Sequence, residues 1–345
     1  MLNSVIYNRG NDVLKSDWYK KMFRCYSDIT LETFKFFSKE NFYAANLPIT
    51  TGSISSPMGL GSDSLPVKIN LQGQDTYLAD SMQFLLEYAL RFSNNGVFYV
   101  MPSFRGEDAD ERHLSQFYHA ESEIVGELSD VMQLCEKFIK QLAKAVISKK
   151  NYISSVTAKH LEKVKNIILK EKFPEITYLE AVDLLKKHNV NGFEYIDNLC
   201  VINSIGEKWL IEYFHGVVWL THFPHLSVPF YQAYDKNNPE LSLSADLLIG
   251  IGETLGCGER VGAEEIYKSL EEHEISAADY KWYIDMKQNF PMTTSGFGLG
   301  IERFIAWLFD VTDIRTIPDE LFTEKNIFDI KSIIKEPKLW GSNEE

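Results

Sequence analysis

Ser295-Gly296-Phe297-Gly298-Leu299-Gly300-Ile301-Glu302-Arg303 is the stretch whose reading decides the fold of this 345-residue chain. Glycines at alternate positions let a backbone pass close to another group, because no Cβ intervenes. An apolar helical run follows at once, with Phe304, Ile305, Trp307, Leu308 and Phe309. Arg303 therefore falls on the first turn of a helix and faces whatever lies against the glycines. A polyphosphate beside a flat ring suits that corner, since helix N-termini attract anions and a guanidinium both forks onto phosphate and stacks. The plainer alternative is a glycine-rich turn feeding a core helix. A dinucleotide fingerprint does not fit: the spacing is G-x-G-x-G, and no βαβ unit with a later ribose-binding acid surrounds it.

Working upstream, Leu243 to Ile249 reads as a strand entering the glycine-rich run Gly250 to Arg260. Gly96 to Arg105 alternates faces as a strand does. A polar loop from Gly106 to Arg112 follows, and a second strand-like run extends from His113 through Glu123. Paired antiparallel, these runs bring Arg105, Glu107 and Phe117 to one face, while Pro102 favours an edge or a bulge. A helix starting near Asp80 or Ser81 carries Gln83 and Glu87, four apart and so on one side. Leu31, Phe34, Phe37 and Phe42 suggest an amphipathic helix running into an extended segment ended by Pro48, whereas residues 1–30 are poorly periodic. Residues 51–66 read as a loop, 67–71 as a strand and 129–149 as a helix. Residues 155–190 read as a lysine-rich, largely helical insertion, with a capping box at Thr177 and Glu180. Residues 191–235 read as β-rich and aromatic. No internal repeat appears.

Composition bounds the function. The 45% apolar and 24% charged content is that of a soluble globular protein. No apolar run approaches the roughly 20 residues that span a bilayer, and no secretory signal opens the chain. Cys25, Cys135, Cys200 and Cys257 form no paired spacing, which predicts reduced thiols, a cytoplasmic location and no thiolate zinc site. The net charge of −14 argues against broad nucleic-acid binding without excluding a local basic surface.

Phe104-Arg105-Gly106-Glu107 with Arg112-His113-Leu114-Ser115-Gln116-Phe117 resembles motif 2 of class II aminoacyl-tRNA synthetases, and Ser295 to Arg303 resembles their motif 3. Pro48, after a helix and a strand, fits the weaker motif 1. The resemblance spans about residues 30–317 and points to the aspartyl/asparaginyl branch. It implies an α+β fold, one class II catalytic domain over 1–345: an antiparallel sheet flanked by helices, with a helical insertion at about 150–195 between motifs 2 and 3. It also implies a homodimer formed through motif 1, ATP and Mg²⁺. By the same resemblance Arg105 holds the α-phosphate and the reacting carboxyl, and Glu107 accepts from the adenine amino group. Phe117 and Arg303 sandwich the adenine, and His113 meets the outer phosphates. Asp246 and Glu253 match the Mg²⁺-binding acids, and Gln83, Glu87 and Arg260 line the substrate side chain.

The resemblance leaves no room for the anticodon-binding domain of that branch, which argues against tRNA as a partner. A compact core of this kind resembles the archaeal asparagine synthetase. Aspartyl enzymes place a lysine where this chain has Leu86, while asparaginyl enzymes place a glutamate where it has Glu87. A carboxylate accepts from an amide NH₂ and repels a carboxylate, so Glu87 and Arg260 favour a carboxamide. Met58 stands where the branch often holds the α-ammonium with an acid, and Pro318-Asp319-Glu320 replaces its usual ending. The expected function is ATP-dependent, AMP-forming activation of an asparagine- or aspartate-type small molecule or peptide, forming a C–N bond without tRNA. The alternatives are dehydration of a peptide-borne asparagine to a nitrile, a truncated tRNA-charging enzyme, and a silent regulatory paralogue.

Overall fold

A computed structural model describes residues 14–55, 65–196 and 199–317; Met58 and Pro318 to Glu320 lie outside them. The chain opens into helix α1 (Asp17–Lys39), which starts well before the periodicity suggested. Its buried Trp18, Met22, Cys25, Ile29, Thr33, Phe36 and Phe37 recur at helical spacing. Phe23, Leu31 and Phe34 are exposed, and these outward apolar residues hide the period in the sequence.

Strand β1 (Tyr43–Ala44) follows, and β2 (Thr50–Thr51), β3 (Val67–Leu71) and β4 (Gln74–Leu78) make a small sheet in the order β2-β4-β3. Helix α2 (Gln83–Ser93) leads into the hairpin β5 (Gly96–Phe104) and β6 (Gln116–Val125), then into α3 (Leu128–Ile147). The insertion comprises α4 (Lys150–Ile153), α5 (Ala158–Ile168), β7 (Glu175–Thr177), α6 (Tyr178–Lys187) and the hairpin β8 (Phe193–Ile196) with β9 (Leu199–Ile202). Helix α7 (Ser204–Tyr213), β10 (Val217–Thr221), β11 (Ser244–Ile249) and β12 (Gly252–Glu259) come next. Helices α8 (Ile266–Glu272) and α9 (Lys281–Asn289), β13 (Thr294–Gly300) and α10 (Ile301–Phe309) complete the order.

Eight strands form the main sheet in the order β1-β5-β6-β13-β12-β11-β10-β7. It is antiparallel from β5 to β10, and only the two outermost pairs are parallel. The expected antiparallel sheet with flanking helices is present. β1 meets β5 only at Val97 and Phe98, so Pro102 sits on the outer edge past its neighbour's end. A missing N–H costs nothing there.

The insertion is largely helical as expected, and its short β7 pairs with β10 and closes one edge of the main sheet. One expectation needs correction. The 191–235 segment is not mainly β, because α7 carries Trp209 and Tyr213. Asn203 caps that helix through the amides of Ile205 and Gly206. Its aromatics mimic strand composition, but the cap sets the conformation. The Thr177–Glu180 capping box forms as read.

The sheet separates two environments. Phe297, Leu299, Ala245, Leu247 and Leu255 join α1, α3 and α10 residues in the principal core. Alternate residues of the same strands, Gly298, Gly300, Asp246 and Gly256, line a cleft on the other face. Among the described residues no helix is long and apolar enough to cross a membrane, and all four cysteines are unpaired.

Candidate active site

The cleft encloses ≈ 340 Å³, within the range of ligand pockets. Its floor is the face of β13 from which glycines remove every side chain. At one end α10 begins, fastened by Glu302: its carboxylate accepts from the Tyr118 amide at 3.0 and 3.1 Å and from the Tyr26 hydroxyl at 2.9 Å. Arg303 therefore enters the cleft from an anchored helical turn. Its Nη1 donates to the Glu253 carbonyl at 2.6 Å and lies 3.6 Å from the Glu253 carboxylate, while Nε reaches the Arg112 carbonyl at 3.4 Å.

The β5–β6 hairpin supplies the facing wall. The Arg105 guanidinium carbon stands 5.6 Å from the centre of the Phe117 ring and Nη1 is 3.9 Å from the Glu107 carboxylate. Arg105 Nε is buried with no partner among the described residues, so this side chain is not satisfied from within. Glu107 sits outside the lining and accepts from the Leu65 amide at 2.9 Å. His113 lines the cleft with Nδ1 2.9 Å from Asp110. Arg105, Phe117, His113 and Arg303, from segments nearly two hundred residues apart, thus share one wall and one floor.

Opposite them, Asp246 and Glu253 lie across the side-chain-free Gly256: a Cβ added there would stand 3.3 Å from one carboxylate and 2.9 Å from the other. Burial, and then the charge of Glu253, push the Asp246 carboxyl well above the usual range. Two hard oxygen donors that share one nearby cation, Arg303, fit a magnesium ion. Among the described residues no three His, Cys, Asp or Glu side chains converge as a metal cluster, so other ligands would have to come from a bound phosphate.

The far end of the cleft holds Arg260, whose Nε and Nη2 bind the Glu123 carboxylate at 3.0 and 2.5 Å and whose Nη1 is 3.4 Å from Gln232 Oε1. Both charges are buried. Glycine is required beneath them, since a Cβ on Gly296 would lie 2.1 Å from Glu123 Oε1 and 2.6 Å from Arg260 Nη2. Gln83 lines the cleft, and its buried Nε2 makes no hydrogen bond among the described residues.

Glu87 does not belong with them. It is 1% exposed and outside the lining, its carboxylate occupied by Lys287 at 2.7 Å, Tyr283 at 2.5 Å and Thr294 at 3.1 Å. One helical turn from Gln83 is a rise of about 6 Å, enough to move a side chain from the cleft wall into the protein behind it. The acid beside Arg260 is Glu123. Sequence reasoning ended its second strand on that residue but gave it no role, because its partner is 137 positions away.

Other side chains at the cleft have no role assigned from the sequence. Glu121 accepts from Ser81 at 2.6 Å and from Tyr99, with His119 at 3.0 Å. Arg112 pairs with Glu207 on α7. The alternation of β6 places His119, Glu121 and Glu123 beside Phe117 on one face and was the available signal for three of them. Nothing local announces Glu207.

The family described as tRNA synthetases class II (D, K and N) matches residues 5–322. An asparagine–tRNA ligase of Koribacter versatilis (strain Ellin345) is 30% identical over 316 residues, which is 88% of this chain and 69% of that protein. The crystal structure of asparaginyl-tRNA synthetase from Pyrococcus horikoshii complexed with asparaginyl-adenylate aligns with a TM-score of 0.81 at 26% identity, covering 91% of this chain and 70% of that one. Asparaginyl-tRNA synthetase from Entamoeba histolytica, also in complex with asparaginyl-adenylate, gives 0.76 at 22% identity over 91% and 69%, a likeness of fold.

Proposed function

Because the chain belongs to the class II (D, K and N) tRNA synthetase family, we propose that it activates an asparagine-type substrate with ATP, forming an acyl-adenylate and releasing pyrophosphate. What carries this reading is the meeting of Arg105, Phe117, His113 and Arg303 with the acid pair Asp246 and Glu253 in a single cleft. In the reaction a substrate carboxylate oxygen bonds to the α-phosphorus, and the bond to pyrophosphate breaks. Negative charge grows on the phosphoryl oxygens, so fixed cations are the main source of acceleration. Arg105 stabilises the reacting phosphoryl group, Phe117 and Arg303 hold the adenine between them, and His113 meets the outer phosphates. Glu107 accepts from the adenine amino group at the rim. Asp246 and Glu253 would hold magnesium, which neutralises phosphate charge when bound.

The substrate side chain would meet Gln83 and the Arg260–Glu123 pair. A guanidinium already matched by a carboxylate has little charge left for a second carboxylate, whereas a carboxamide can donate to Glu123 and accept from Arg260. Asparagine is therefore favoured over aspartate. A homodimer through the outer face of α1 and β1 suits the exposed Leu31, Phe34 and Tyr43.

Pyrophosphate release measured with asparagine, aspartate and asparagine-ending peptides tests the proposal. Asparagine or its peptides should stimulate release, and silence with all of them would refute it. The products distinguish the outcomes: charged tRNA, an amide gained from ammonia without tRNA, or, where the carboxamide oxygen instead of the carboxylate attacks the α-phosphorus and AMP then leaves, a peptide lighter by one water as a nitrile.

A further inference from the structure

Arg112 and Glu207 form an ion pair that the nucleotide reading leaves unused. Arg112 lies in the loop between β5 and β6 and lines the cleft, while Glu207 lies on α7, outside the segments that resemble motifs 2 and 3, and stands behind it. Arg112 Nη2 donates to Glu207 Oε2. The pair occupies space left by Gly252: a Cβ there would fall 2.2 Å from Arg112 Nη2 and 2.5 Å from Glu207 Oε2, and φ of +143° suits glycine alone. Gly252 directly precedes Glu253. The backbone carbonyl of Arg112 accepts from Arg303 Nε, and Arg303 Nη1 in turn holds the Glu253 carbonyl. One continuous set of contacts thus runs from α7 through Arg112 and Arg303 to Glu253.

We propose that Glu207 is a positioning residue for the nucleotide: by holding one terminal nitrogen of Arg112 it turns the rest of that guanidinium toward the outer phosphates of ATP. The proposal rests on the ATP reading above. A long arginine side chain loses considerable rotamer freedom when it grips a ligand, and an anchor already in place removes much of that cost at binding. Glu207 itself does not line the cleft and reaches it through its contact with Arg112.

Calorimetric titration of the full chain with Mg-ATP and with AMP tests this in the wild type, Glu207→Ala, Arg112→Ala and the double variant. Glu207→Ala should weaken ATP about tenfold, the scale of one charge-assisted hydrogen bond, and leave AMP unchanged because AMP lacks the outer phosphates. The double variant should bind ATP no more weakly than Arg112→Ala alone. Equal weakening of ATP and AMP, additive effects, or wild-type affinity in Glu207→Ala would each overturn the proposal. Should Glu207→Ala not fold, Glu207→Gln keeps the volume and carries the same ATP-only prediction at about threefold. A wild type that takes neither nucleotide overturns the ATP reading, and this one falls with it.

Discussion

Replacing Gly296 by alanine sets the buried Arg260–Glu123 pair against a single methyl group. The new Cβ would stand 2.1 Å from Glu123 Oε1, 2.3 Å from its Cδ and 2.6 Å from Arg260 Nη2. Carboxylate ends often swing away, but Glu123 is 1% exposed and held by two nitrogens of Arg260, so it has nowhere to go. The substitution must therefore open the ion pair. Breaking a buried pair while leaving both charges buried costs about 3 kcal/mol or more, which over a chain of this size lowers the melting temperature by about 4 °C. Urea unfolding measures the stability, and asparagine-dependent pyrophosphate exchange measures the site. Two other glycines calibrate the series. At Gly298 the nearest atom is Glu121 Oε1 at 3.2 Å, and at Gly262 nothing lies within 4 Å. Losses of about 3, 1 and less than 0.5 kcal/mol are expected in that order, with asparagine exchange abolished in the first and kept in Gly262→Ala, whose position is outside the cleft lining. If Gly296→Ala is no worse than Gly262→Ala, Glu123 and Arg260 are not pinned where they are described.

Arg303→Ala should lower pyrophosphate release by about 10²–10³-fold with the fold intact; undiminished turnover would remove Arg303 from the site. Asp246→Asn and Glu253→Gln should each raise the magnesium needed for half-maximal release by about tenfold or more, and an unchanged requirement in both would move the ion elsewhere. Acid should destabilise the protein in two windows. Burial pushes the His225 ring down to about 4 from 6.5, so the unfolded chain takes a proton that the native one refuses and stability falls as pH drops between those values. Burial would raise the Glu87 carboxyl, but Lys287 and then Arg91 outweigh it and hold it below the ordinary carboxylate range, so its contribution is complete above that range and is lost as pH falls below it. His225→Gln should flatten the upper window of a pH series of urea midpoints and Glu87→Gln the lower; an unaltered slope counts against the residue concerned. Phe34→Asp should halve the mass seen by light scattering if α1 forms the dimer contact, and an unchanged mass would relocate it.

The parts of this molecule that were legible from residues alone are those with a local cause. Alternating glycines before an apolar run made β13 and α10 readable, and alternation along the hairpin placed Arg105 and Phe117 on a common wall. Where local signals compete, the reading failed. Phe23, Leu31 and Phe34 blurred α1, and Trp209 and Tyr213 made α7 look like a strand although Asn203 caps it. Glu87 was misplaced because four residues along a helix restore the face but not the depth. Pairings such as Glu123 with Arg260 and Arg112 with Glu207 belong to sheet register and docking, which no single segment encodes.

β7 is three residues long, yet it guards the rim of the main sheet. Its chain comes from inside the stretch that, by lysine content and helical pattern, looks like an ornament hung on the catalytic body. Excising that ornament would strip β10, buried along its whole length, of its outer neighbour and leave raw backbone ready to zip onto any passing strand. What resembles decoration is the selvedge that keeps the fabric from unravelling into its neighbours.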